Sequence, residues 1–209
     1  MTRPPQLQSL MDELEAQANE DRDPAETPDV GIVMGSDSDL PVMRGAHDAL
    51  VDLDFAEQTD YDDPPGTRFT FETYVVSAHR TPELMDVYAR AAEDRGIEVI
   101  IAGAGGKSAD LPNMTASIAY PLPVIGVPVQ EKSVDSVIGM PTGAPIVAVD
   151  AGKSYNAALS AAQILARQHP DLRQRLVDRH DALKTDVVET SRRVHDLGTP
   201  AYLEETEED

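Results

Sequence analysis

Short apolar runs recur along the chain, each followed by a turn cluster and then by an apolar stripe at helical spacing. Residues 30–35 (VGIVMG) are apolar and rich in β-branched side chains. They lead into Ser36, Asp37, Ser38 and Asp39, the pattern of a buried strand entering a loop. Pro41 suits a first helical turn, with Asp39 or a neighbour capping its free amides. Met43, Ala46, Ala49, Leu50 and Leu53 supply the apolar stripe. Residues 56–70 carry Pro64, Pro65 and Gly66 and read as a loop. Residues 71–76 (FETYVV) predict a second strand. Thr81-Pro82 predicts the next helix start, with Leu84, Met85, Tyr88 and Ala92 as its apolar face and Gly96 as its end. A third strand is expected at Glu98–Ala102, then the loop GAGGKSADLPN and a helix through about Ala119. The fourth and fifth strands fall at Pro123–Val127 and Pro145–Val149, followed by an Ala-rich helix over Ser154–Gln168. Residues 171–195 predict a charged amphipathic helix, and EETEED closes the chain as an acidic tail.

Alternating short strands and helices predict an α/β fold whose parallel sheet is covered on both faces. The boundaries expected are a flexible N-terminal extension over 1–28, a domain over 29–170, and a C-terminal helix with an acidic tail over 171–209. The extension is polar and reads as a short helix and a linker, without a core of its own. In such sheets ligands bind outside the carboxyl ends of the strands, near the point where strand order reverses. The loops Gly35–Asp39, Ser77–Arg80 and Gly103–Asn113 are therefore where chemistry is expected.

Composition narrows the function classes. The chain has 209 residues, enough for one domain with tails, and 41% of them are hydrophobic, enough for a core. Absence of Cys excludes a disulfide scaffold, a Cys-ligated zinc site and a thiol nucleophile. The net charge of −21 argues against a nucleic-acid partner, which needs Lys and Arg to neutralise phosphates. No apolar run approaches the roughly 18 residues of a membrane span, and the N-terminus lacks the apolar stretch of a signal peptide, so a cytoplasmic location is expected. The excess acid is dispersed: 7 acidic against 2 basic residues over 1–28, 20 against 9 over 29–170, and 11 against 6 over 171–209. Dispersed self-repulsion of this kind suits a salt-rich cytosol, the alternative being an ordinary acidic soluble protein.

Each of the three loops has two readings. Ser36, Ser38 and Asp39 can receive an anion on hydroxyls and helix-start amides and hold a ribose hydroxyl on a carboxylate, or they can simply cap. Ser77 and Arg80 can grip phosphate, and His79 can exchange protons near neutrality; the alternative is a surface turn. Gly103, Gly105 and Gly106 permit close backbone approach to a ligand. Known nucleotide fingerprints fail: Ser108 stands where a dinucleotide loop needs Gly, and Ile101 and Val147 stand where two potential P-loops need it. The five His residues lack metal-ligand spacing, and no nucleophile elbow is present, so neither a metal site nor a serine hydrolase is expected.

Taken together, GSDSD (35–39), SAHRTP (77–82), AGAGG…LPNM (102–114), PVIGVPV (123–129) and NAALSAAQIL (156–165) resemble the 5-(carboxyamino)imidazole ribonucleotide mutase family, also known as the catalytic subunit of phosphoribosylaminoimidazole carboxylase. The resemblance covers about residues 30–168. It implies a flavodoxin-like three-layer sandwich, a homo-octamer and a cofactor-free isomerase of purine biosynthesis acting on a small ribonucleotide. In that reaction a carboxyl group leaves the exocyclic nitrogen as trapped carbon dioxide and adds to ring carbon 4. Carried onto this chain, Ser36, Ser38 and Asp39 hold phosphate and ribose, Ser77 and Arg80 join the phosphate grip, and His79 is the acid–base residue. Gly105 and Gly106 let backbone amides approach the carboxyl group. The third loop departs from the family's AAHLPGM. It has about one extra residue, Lys107 within it, Asp110 where a second His is expected and Asn113 where Gly is expected. Lys107 offers a cation to the carboxylate or is an ordinary solvated lysine. A direct aminoimidazole ribonucleotide carboxylase and a non-catalytic nucleotide-binding module are the alternatives.

Overall fold

In the computed structural model, which describes residues 3–207, six strands form one all-parallel sheet. They are β1 (Val30–Met34), β2 (Ala56–Glu57), β3 (Thr70–Val75), β4 (Val99–Ala104), β5 (Val124–Pro128) and β6 (Val147–Ala148), in the order β2-β3-β1-β4-β5-β6. Every residue of β1, β4 and β5 is buried, which explains why these strands are continuous apolar runs without alternation. Register is exact at the centre: Val33 lies beside Tyr74 on one side and Ala102 on the other. The chain crosses from β3 to β4 over β1, so the order reverses at β1, and the loops after β1, β3 and β4 meet there.

The helices follow the expected stripes. Helix α2 (Leu40–Val51) starts with Pro41 in its first turn and buries Met43, Ala46, Ala49 and Leu50. Helix α3 (Pro82–Ala91) buries Leu84, Met85, Tyr88 and Ala89. Helix α4 (Leu111–Ile118) follows the third loop, and α6 (Ser154–Leu165) lays Ala157, Ala158, Ala161 and Ala162 against the core. The three-layer flavodoxin-like sandwich is thus present, as is a C-terminal helix, α7 (Pro170–Leu197).

Four features were not expected. The segment read as a loop over 56–70 opens with the edge strand β2, paired through Ala56 with Thr70; two residues carry no periodicity to read. A five-residue helix, α5 (Val134–Ile138), follows β5 and is too short to show a stripe. The acidic tail is largely helical, as α8 (Thr199–Glu207), with its last two residues outside the described range. The short helix expected in the N-terminal extension is α1 (Pro5–Gln17), but its burial was not foreseen: Met11 and Leu14 lie within the same apolar cluster as Leu84 and Tyr88 of α3. The expected linker after it holds a 3-10 turn at Pro24–Glu26, and Thr27 and Asp29 are buried. A helix with few apolar residues gains burial here because the domain supplies the other face.

The chain separates into two compact units, 1–165 and 166–209. Within the second, Arg193 of α7 pairs with Glu205 of α8 at 2.8 Å and its guanidinium sits 5.6 Å from the Tyr202 ring centroid.

The first unit also buries an ion pair. Glu72 of β3 and Arg95 lie within 2.5 and 2.8 Å through two hydrogen bonds, and Arg95 is fully buried. Tyr88 donates to Glu72 at 2.9 Å, and Arg95 Nε donates to Gln17 of α1 at 2.9 Å. Burial by itself would lower the Arg95 pKa, but the Glu72 charge and hydrogen bonds outweigh it and raise the net value. Burial, then the Glu72 charge, push the Tyr88 phenol well above its ordinary value.

Candidate functional site

The three loops at the reversal of strand order enclose a cavity of about 430 Å³. Ser36, Ser38 and Asp39 from the first, Ser77, His79 and Arg80 from the second, and Gly105 and Gly106 from the third all line it. Gly103 lies deeper, inside β4.

The first loop makes a 3-10 turn, Asp37–Asp39, before α2. Ser36 caps it: its Oγ accepts from the Ser38 amide at 3.3 Å and donates to Asp37 at 2.9 Å. Asp39 makes no cap bond to α2, contrary to one expectation. It is buried, and burial raises its pKa; the Ser36 and Gly35 amides and then the Arg80 charge pull the other way without cancelling that effect. A buried carboxylate that is not used for capping remains available to a hydroxyl donor.

The second loop holds its cation in place. Arg80 Nη2 donates to the Gly35 carbonyl at 2.7 Å, and its Nε donates to Ser77 Oγ at 3.4 Å. Ser77 Oγ also accepts from the Arg80 amide at 3.2 Å, and the Ser77 amide donates to Thr81 Oγ1 at 3.0 Å. A guanidinium has more donors than these bonds use, so a fixed fork faces an incoming anion with donors to spare. His79 Nε2 lies 3.0 Å from Asp110 Oδ2.

The third loop permits close approach for a specific reason. A Cβ at Gly105 would lie 2.9 Å from Asp39 Oδ1, and Gly106 has φ +88°, a left-handed conformation that favours glycine. Asp110 precedes α4 in its cap position but makes no cap hydrogen bond. Lys107 is exposed and is not part of the cavity lining. The lining cation besides Arg80 is Lys132, from the segment after β5, together with Gln130, Ser108 and Asp110. The sequence reading missed Lys132 and Gln130. The same strand-end rule that selected the other loops, applied to the fourth expected strand, points to them.

Comparison with known proteins places the chain among relatives. The family profile described as AIR carboxylase matches residues 29–186. N5-carboxyaminoimidazole ribonucleotide mutase of Thermotoga maritima is 42% identical over 186 residues, covering 86% of this chain and 99% of that protein. The protein of the same name from Mycobacterium tuberculosis H37Rv is 48% identical over 169 residues, covering 78% and 87%. The crystal structure of Treponema denticola PurE superposes with a TM-score of 0.64 over 79% of this chain and 97% of that one, at 22% identity, and supports the fold alone.

Proposed function

Because the chain belongs to the AIR carboxylase family, we propose that it is an isomerase of purine biosynthesis, moving the carboxyl group of N5-carboxyaminoimidazole ribonucleotide from the exocyclic nitrogen to ring carbon 4. The observation that carries this reading is the meeting of one acid–base imidazole, His79, with an anchored guanidinium, Arg80, in a single cavity of nucleotide dimensions.

The residues divide the work. Arg80 and Ser77, with Ser36 and Ser38, take the phosphate; Asp39 takes a ribose hydroxyl; Lys132 adds a second positive charge to the cavity. His79 protonates the nitrogen as its bond to the carboxyl carbon breaks and carbon dioxide forms. The dioxide then bonds to carbon 4, and His79 takes the proton that carbon 4 loses. One proton is given and one recovered, so the imidazole ends as it began and the reaction has no net redox change. The amides around Gly105 and Gly106 keep the dioxide near the ring, and holding both fragments together replaces a second binding event.

The test is an assay of both substrates with and without bicarbonate. Conversion of the N5-carboxy compound independent of bicarbonate is expected. Faster turnover of aminoimidazole ribonucleotide with bicarbonate would instead make the protein a direct carboxylase. For Arg80→Ala, loss of a charge-assisted phosphate contact of about 1.5–3 kcal/mol predicts a KM roughly 10- to 100-fold higher, with a smaller change in kcat.

Two further properties belong to the same reading. The protein assembles as a homo-oligomer, an octamer; the exposed apolar residues Leu183, Val187 and Val188 on α7 support contact between copies, and light scattering reads the number. It works in a salt-rich cytoplasm, supported by dispersed acidity and a net charge of −21. Screening over a Debye length that shrinks from about 30 Å at 0.01 M salt to about 3 Å at 1 M predicts a Tm rising by several degrees from low to molar KCl. A flat melting curve would end the salt proposal.

A further inference from the structure

We propose that Asp110, held by Ser136, is a positioning residue for His79, so that the altered third loop supplies a carboxylate where the family carries an imidazole. The inference rests on the mutase reading for its catalytic arm. Its geometry is independent of that reading. Asp110 occupies the cap position of α4, where an Asp side chain normally accepts from the helix amides, yet it makes no such bond. Its two oxygens are used elsewhere: Oδ2 lies 3.0 Å from His79 Nε2, and Oδ1 accepts from Ser136 Oγ at 3.1 Å. Asn113, the other departure in the loop, donates from Nδ2 to the carbonyl of the same Ser136. The substituted positions 110 and 113 therefore converge on one residue of α5, a helix that begins just beyond the Gln130–Lys132 wall of the cavity.

The chemical consequence concerns the tautomer. A carboxylate only accepts hydrogen bonds, so this contact fixes an N–H at Nε2 and leaves Nδ1 as the nitrogen that gives and takes the mobile proton. Ser136 fixes the carboxylate, the carboxylate fixes the ring, and one face of the ring is left for the substrate. An exposed ion pair contributes little to stability, and the side chains of His79 and Asp110 are 60% and 43% exposed, so a stabilising role does not account for the arrangement.

The experiment compares the wild-type chain with Asp110→Asn, Asp110→Ala and Ser136→Ala. Expected results are a kcat lower by about 10- to 100-fold for the Asp110 variants and less for Ser136→Ala, with KM within about twofold and Tm unchanged. In parallel, ¹⁵N NMR of imidazole-labelled protein, assigned with His79→Asn, is expected to show Nε2 protonated in the wild type and the tautomer balance altered in Asp110→Ala. Unchanged kcat in both Asp110 variants, or a parallel loss of Tm, KM and kcat, overturns the proposal. Should the wild type itself convert neither ribonucleotide, the mutase reading fails, and the NMR arm still decides the positioning claim: the same tautomer in wild type and Asp110→Ala refutes it.

Discussion

His79→Asn is expected to lower kcat by about 10²- to 10⁴-fold while leaving KM for the ribonucleotide nearly unchanged, the loss that removing a general acid–base group produces. The phosphate grip proposed for Arg80, Ser77 and the first loop rests on residues whose hydrogen bonds do not pass through the imidazole. The imidazole itself is exposed and hydrogen-bonded to Asp110, so removing it opens no core cavity. Asn keeps a polar side chain of similar width but has no group at the Nε2 position and cannot cycle a proton near neutrality. Steady-state kinetics, ligand calorimetry and a melting curve on the same preparation separate the outcomes. Full turnover in His79→Asn, with the fold intact, would remove the imidazole from the chemistry and leave a different base to be found.

Arg95→Met is expected to destabilise the chain by about 3–5 kcal/mol, the cost of leaving one member of a buried ion pair without its partner. For a domain of this size that is a fall in Tm of roughly 6–20 °C. Glu72 would keep the Tyr88 hydroxyl but lose both guanidinium bonds, and Gln17 would lose the Arg95 Nε donor. The double variant Glu72→Gln with Arg95→Met removes the uncompensated charge while Gln still accepts from Tyr88, so it is expected to recover more than half of the loss. Thermal unfolding of the wild type, both single variants and the double variant gives the coupling directly. A single variant that melts like the wild type would show that water already reaches this pair. Because Gln17 lies in α1, deletion of α1 should also weaken the network, which makes the N-terminal segment part of the domain's stability.

The central strands, the helices that follow them and the parallel architecture were legible because burial on both faces forces continuous apolar runs, and helix faces force a 3.6-residue stripe. The β1, β3 and β4 loops were legible for a related reason: strand order must reverse somewhere, and the Ser, Asp, His, Arg and Gly residues clustered after those strands. The two-residue strand β2 and the five-residue helix α5 went unread, since such an element is held by its neighbours rather than by its own periodicity, whereas β6 falls inside the strand expected at Pro145–Val149. Residues 1–28 read as a short helix and linker without a core because Met11 and Leu14 are few apolar positions in a polar segment, and the surface they bury against, which includes Leu84 and Tyr88 of α3, comes from the rest of the domain.

The sequence by itself determined the layered fold and the strand-end loops that line the cavity, with Ser36, Ser38, Asp39, Ser77, His79 and Arg80 among the lining residues, since each follows from local pattern or from motif order. Tertiary structure decided the partners. Glu72 pairs with Arg95 across 23 residues, Asp110 reaches His79 across 31 and Ser136 across 26, and Lys132 rather than Lys107 lines the cavity. Charge and hydrogen-bond complementarity act over a few ångströms in space, and a linear chain does not state which of its 38 acidic side chains will come within that distance of a given cation or imidazole.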